Sequence, residues 1–281
     1  MEPPFPPFDP DGSAGKNNEK PKTVQATRLR DIPLRKIVPN LLTLFAICSG
    51  LTSIRFAIEE RMELAIAAII LAAFLDGIDG RVARFLKSTS RFGAEMDSLA
   101  DFVNFGVAPA MILYFSQLNE IKSIGWIAAL LYVICACLRL ARFNVMLDMP
   151  DVPKWQNKYF TGVPAPAAAL IVLLPVYVSL LGLEMNATTA WFVAAYTVGI
   201  GLLMVSNLPT FSGKDFSKSI RRDLVLPMMI LAVALAGLLL TYPWSTLMAI
   251  TLGYLVFIPL SFAQWKKDAA KTAVEASPTD K

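Results

Sequence analysis

The chain has 281 residues, 55% of them hydrophobic and only 17% charged, with a mean hydropathy of +0.53 and a net charge of +4. Soluble domains carry about 25% charged residues, so this composition indicates an integral membrane protein, and the small basic excess fits membrane topology rather than nucleic-acid binding. There is no histidine, which excludes a Ser-His-Asp triad, a histidine general base and a histidine-ligated zinc.

Residues 1–27 are rich in Pro, Asp, Gly, Asn and Lys, lack the apolar core of a cleavable signal, and read as a disordered cytoplasmic tail. The basic juxtamembrane segment 28–37, which includes RLRDIPLRK, reads either as a short interfacial helix on anionic headgroups or as a plain linker. Eight apolar segments follow, at 38–58, 63–82, 94–118, 123–143, 164–183, 187–206, 224–241 and 244–263. Each is about long enough to cross a 30 Å hydrocarbon core as a helix. The third is the least apolar, because Glu95, Asp97 and Asp101 lie in its first turns. Residues 207–223 form a basic loop, and 264–281 read as a solvated tail.

The predicted fold is therefore an all-α integral membrane protein with eight transmembrane helices. Loop charge supports that count. Of the 26 Lys and Arg residues, Arg55, Arg61 and Lys122 fall on one side and the other 23 on the opposite side. By the positive-inside rule both termini are cytoplasmic. Cys48, Cys135 and Cys137 all lie in apolar runs and read as small apolar filler.

Asp76, Asp79, Asp97 and Asp101 sit where a lipid-embedded chain avoids charge. Asp76, Asp79, Gly80, Ala83 and Arg84 follow at offsets of 3, 4, 7 and 8, which places them on one helical face. Asp97 and Asp101 share a face four residues apart at the start of the third segment. An antiparallel pair joined by residues 85–93 brings the four carboxylates together. All-oxygen ligation suits Mg2+ or Mn2+, and this many carboxylates allows two ions. Gly80 and Ala83 leave room for a ligand to approach the backbone, Arg84 suits phosphate oxygens, and Gly93 permits a tight turn. The combination points to a pyrophosphate-containing substrate. The competing reading treats the aspartates as interface charges paired with Arg81, Arg84 and Arg91.

The run Asp76-x2-Asp79-Gly80-x2-Ala83-Arg84-x8-Gly93-x3-Asp97-x3-Asp101 resembles the signature of the CDP-alcohol phosphatidyltransferase family at every fixed position. The resemblance extends over roughly residues 30–206, so residues 38–206 are expected to form a six-helix catalytic core, with 224–263 as two additional helices. A narrower resemblance, to the membrane-integral bacterial branch that uses serine, rests on DSLADFVNFGVAPA at 97–110, LRLARFNV at 138–145 and FTGVPAPAAA at 160–169. Members of that branch usually carry Ser at the position of Asn104.

The resemblance implies that Asp76, Asp79 and Asp97 ligate metal, with Asp101 both a ligand and the general base. It implies that Gly80, Arg84 and Ser90 contact the CDP part of CDP-diacylglycerol, with Ala83 and Gly93 beside them. The implied acceptor is L-serine, the implied assembly a homodimer, and the implied location a bacterial inner membrane with a cytoplasmic active site. Arg139 and Arg142 are candidates for the serine carboxylate or the lipid phosphate, and Asn104 and Asn144 for its ammonium or hydroxyl. Lys154 and Lys158 read as guides for anions or as solvated loop charges. Glycerol 3-phosphate, inositol phosphate or choline remain open as acceptors. An ion-coupled transporter is the rival class, although residues 164–263 contain no second aspartate motif.

Overall fold

The computed structural model describes residues 34–88, 90–147, 159–183, 186–206, 209–211 and 222–275. The amino-terminal tail, most of the basic segment 28–37, Lys154, Lys158 and most of 207–223 lie outside the described residues. In chain order the helices are α1 (Leu34–Ile58), α2 (Met62–Phe85), α3 (Arg91–Asp101), a π-helical turn (Phe102–Val107), α4 (Ala108–Ser116) and a 3-10 turn (Leu118–Ile121). Then come α5 (Lys122–Leu147), α6 (Ala165–Val172), α7 (Leu174–Leu180), α8 (Ala187–Val205), α9 (Arg222–Thr241) and α10 (Pro243–Glu275). Two three-residue strands, β1 (Tyr159–Thr161) and β2 (Pro209–Phe211), pair antiparallel with Phe160 opposite Thr210.

α3, the π turn and α4 run on as one rod, as do α6 and α7, so the described residues form eight rods matching the eight apolar segments. Four rods are long and apolar enough to cross a membrane: Ile37–Ile58, Arg91–Ser116, Leu118–Met146 and Ala187–Val205. Ala165–Leu180, Val225–Thr241 and Pro243–Pro259 are shorter apolar helices, and α2 carries the acidic pair. The molecule is an all-α, multi-pass membrane protein.

Two details depart from the expected segments. The fifth breaks at Leu173, because Pro175 has no N–H to continue the ladder and Val176 bonds back to the Leu173 carbonyl at 2.9 Å. The last helix continues to Glu275, through a stretch expected to be a solvated tail. Its sequence AQWKKDAAKTAVE is rich in strong helix formers.

The aspartates are positioned chiefly by α1. A stripe of small buried residues, Ala46, Gly50, Ser53 and Ala57, lets α1 lie close along α2, whose buried face is Ala65, Ala68, Ile69 and Ala72. The Ser49 hydroxyl donates to the Ala68 carbonyl at 2.7 Å and pins the pair. α1 also packs against α3 and the π turn, whereas α2 and α3 barely touch. The expected two-helix clasp is therefore a three-helix arrangement with α1 as its spine. On the far side the π turn is locked to α5: Gly106 packs on Ala136, and Tyr132 Oη donates to the Phe105 carbonyl at 3.1 Å.

Candidate active site

α2 supplies Asp76 and Asp79, and α3 supplies Asp97. One carboxylate oxygen from each lies within 4.8 Å of the others. Oxygens bound to a single divalent ion at about 2.0–2.6 Å lie no more than about 5 Å apart, so the triplet has the dimensions of a metal cage. Without a cation, each pair repels by ~3 kcal/mol at an effective dielectric near 20. Asp79 is only 3% exposed, and Oδ1 of both Asp76 and Asp79 is buried without a hydrogen-bond partner. Those orphaned acceptors and the all-oxygen donor set fit a hard divalent ion.

Pairing of the triplet with Arg81, Arg84 or Arg91 is not found among the described residues. Among the described residues the ion pairs join Arg55 and Arg61 to Glu59, at 2.8 and 3.8 Å, and leave Arg81, Arg84 and Arg91 apart from the aspartates. Asp101 lies outside the close triplet. Its carboxyl comes within hydrogen-bonding distance of Asp76, and Arg139 of α5 is within electrostatic reach of it. The Nε of Arg139 is buried and unpartnered.

Beside the triplet lies a cavity of about 260 Å³. α2 lines it with Asp79, Gly80, Ala83 and Arg84, α3 with Gly93 and Asp97, and the loop before α3 with Ser90. All five residues expected to touch the nucleotide thus line this cavity. No atom lies within 4 Å of where a Gly80 Cβ would stand, so packing does not demand glycine there and its effect is to leave space. Ser90 caps α3, its Oγ accepting the Gly93 N–H at 3.0 Å.

α1 supplies a third part of the lining, which the sequence motif does not contain. Asn40 and Thr43 line the cavity. Thr43, buried and one turn after Pro39, donates to Asp79 Oδ2 at 2.6 Å and approaches the Pro39 carbonyl at 3.1 Å. A polar Asn-x-x-Thr pair opening an otherwise apolar span is the signal that marks this wall. Thr43→Val should weaken Mn2+ binding ~10–100-fold, the usual effect of removing a ligand's outer partner, while Thr43→Ser retains it. Titration of Mn2+ by electron paramagnetic resonance checks both variants.

The remaining candidates scatter. Asn144 Nδ2 donates to Ser98 Oγ at 3.1 Å, bracing α5 against α3 next to Asp97. Arg142 Nη1 donates to the Val205 carbonyl at 3.4 Å, at the end of α8. Asn104 is fully buried in the π turn, both of its amide atoms unpartnered, so close to α1 that a Cβ on Gly50 would collide with its Oδ1. None of these three reaches the cavity.

The sequence model of the CDP-alcohol phosphatidyltransferase family matches residues 36–203, well over half of the chain. The chain belongs to the CDP-alcohol phosphatidyltransferase family. The carboxylate triplet and the cavity of this phosphatidyltransferase both fall inside the matched stretch. A second model, described as CDP-alcohol phosphatidyltransferase 2, matches residues 223–259, which are α9 and the first half of α10. The chain is similar to the CDP-diacylglycerol–serine O-phosphatidyltransferase of Mycobacterium leprae, 41% identical over 86% of this chain and 78% of the relative. The enzyme of that name from Bacillus subtilis is 35% identical over 61% of this chain and 88% of its own. The archaetidylserine synthase of Methanothermobacter thermautotrophicus is 34% identical over 61% and 68%.

Proposed function

We propose that the protein transfers the phosphatidyl group of CDP-diacylglycerol to the hydroxyl of L-serine, forming phosphatidylserine and releasing CMP. The observation that carries this reading is the convergence of Asp76, Asp79 and Asp97 beside a cavity that also holds Arg84. The choice of serine is supported by the names of the relatives, all of which make a serine-headed lipid. It is supported also by the segments at 97–110, 138–145 and 160–169.

Asp76, Asp79 and Asp97, with Asp101 adjacent, would hold Mg2+ or Mn2+, two ions in this reading, and the metal would supply neutralisation of the pyrophosphate charge and of the departing CMP. Gly80 and Ala83 admit the cytidine nucleotide against the α2 backbone. Arg84 places a fixed cation toward the phosphate oxygens, and Ser90 keeps its hydroxyl proton available while its lone pair caps α3. Asp101 takes the proton of the serine hydroxyl as that oxygen bonds to the lipid-side phosphorus and the bond from phosphorus to CMP breaks. Arg139, close to Asp101 and with Nε unpaired, holds the serine carboxylate or the lipid phosphate. The acyl chains remain in lipid.

Cytoplasmic termini and active site are supported by the 23 Lys and Arg residues on one side. A bacterial inner-membrane location and a homodimer belong to the same proposal, as does a catalytic core over 38–206. Purified protein in mixed micelles with Mg2+ or Mn2+ should release CMP from CDP-diacylglycerol only when L-serine is present, and EDTA should stop the release. CMP release driven by glycerol 3-phosphate with serine inert would overturn the acceptor. Turnover unchanged by EDTA would overturn the metal.

A further inference from the structure

Gly50 and Asn104 meet where α1 packs on the acidic rod, and their contact leaves no room for a side chain at position 50. A Cβ there would collide with Asn104 Oδ1 and lie 3.1 Å from its Cγ. Glycine costs a helix stability relative to alanine. Its place in the interior of α1 is therefore explained by the close approach and not by the helix. Asn104 has no accessible surface, and among the described residues neither of its amide atoms has a hydrogen-bond partner. Its side chain acts on α1 through its bulk.

The rod has no slack to absorb an intrusion. On its other side Gly106 lies against α5, where a Cβ would stand 3.1 Å from the Ala136 Cβ, and Tyr132 Oη holds the Phe105 carbonyl at 3.1 Å. The π turn is thus clamped, Asn104 meeting α1 and Gly106 meeting α5. α1 in turn is tied to α2 through Ser49 and the Ala68 carbonyl at 2.7 Å.

Both halves of the aspartate site depend on this gap. Thr43, the donor to Asp79, lies seven residues before Gly50 and on the same face of α1. Asp101 and Asp97 lie three and seven residues before Asn104 on the continuous rod. A wider gap at Gly50 would draw Thr43 off Asp79, or carry Asp97 and Asp101 away from Asp76 and Asp79. We infer that Gly50 and Asn104 are a fitted pair of positioning residues, whose contact sets the spacing between α1 and the acidic rod and, through it, the geometry of the carboxylate triplet. The inference rests on the reading of that triplet as a divalent-metal site.

The test is a double-mutant cycle on the full-length protein in detergent micelles, read by Mn2+ titration with electron paramagnetic resonance and by melting in EDTA. Gly50→Ala should weaken Mn2+ binding ~10-fold or more, the scale on which a ligand's outer partners act. In an Asn104→Ala background the same substitution should leave Mn2+ affinity where that background has it. Beyond the atoms removed, the nearest is the Asn104 Cα at 3.5 Å, an ordinary contact. In EDTA, Gly50→Ala should lower Tm only while Asn104 is present, which reads the contact without metal. Gly199→Ala, in α8 with no atom within 4 Å of its Cβ position, controls for helix propensity and should leave Mn2+ binding unchanged. If Gly50→Ala does not fold, Asn104→Gln adds a methylene to the same gap and should weaken Mn2+ binding likewise. Mn2+ bound by these variants as tightly as by the unaltered protein, or a loss that Asn104→Ala does not relieve, overturns the pair. Absence of Mn2+ binding by the unaltered protein overturns the metal reading instead, and the melting cycle in EDTA still decides the contact.

Discussion

Asp101→Asn should lower serine-dependent CMP release about 10²–10⁴-fold, the usual worth of a positioned general base. The chain has no histidine to substitute for it. Asp101 stands outside the triplet of mutually close oxygens yet touches Asp76 and feels Arg139. That placement separates its two assigned roles. If it acts chiefly as the base, Asp101→Asn keeps Mn2+ binding close to that of the unaltered protein while turnover collapses. The check is a pair of measurements on the same preparation, CMP release and Mn2+ titration. Near-normal turnover would remove Asp101 as the base, and a parallel collapse of Mn2+ binding would make it a ligand first.

Asp79→Asn should act on metal and stability in opposite directions. Asp79 is the most buried of the triplet, with one oxygen on Thr43 at 2.6 Å and the other unpartnered. Asn retains an oxygen for the Thr43 hydroxyl, so the local structure persists. It removes the charge that a cation needs, and Mn2+ affinity should fall by at least the ~10–100-fold that outer partners alone command, with activity falling alongside. In EDTA the same variant should melt at a higher temperature than the unaltered protein, because one of three mutually repelling carboxylates is gone. The rise in Tm that Mn2+ produces should shrink correspondingly. A variant that melts lower in EDTA would show that Asp79 is a packing element rather than a strained ligand.

Much of the architecture was legible because lipid imposes a simple grammar. Apolar stretches of about 20 residues separated by basic or turn-rich segments gave eight rods, and the structure has eight among the described residues. The acidic motif was legible for the complementary reason, since four aspartates in such surroundings require a partner. The contribution of α1 was not legible. Thr43 and Asn40 lie 33 and 36 residues before Asp76, where the motif begins, and their pairing with it depends on how closely Ala46, Gly50, Ser53 and Ala57 let α1 approach α2. That is a tertiary property without a local period. Arg139 and Arg142, three residues apart, looked equivalent from spacing; the structure puts the first near Asp101 and has the second donate to the Val205 carbonyl. The inward placement of Asn104 against Gly50, set by the widened turn between α3 and α4, was likewise not legible from its polarity.

That widened turn, Phe102–Val107, has a mechanical consequence. A π turn accommodates one more residue than the α-helix it interrupts, and each residue of an α-helix is worth about 100° of rotation. The six-residue bulge therefore works as a phase shifter on a single shaft. Upstream, the shaft presents Asp97 and Asp101 toward α1 and α2; downstream, it presents Ile112 and Leu113 to the hydrophobic interior. Excising one residue from the bulge would restore a uniform winding and swing the acidic end about 100° out of line, with the apolar end left seated. Chemistry at one end of this span and packing at the other are thus free to change independently, on condition that the length of the bulge is kept.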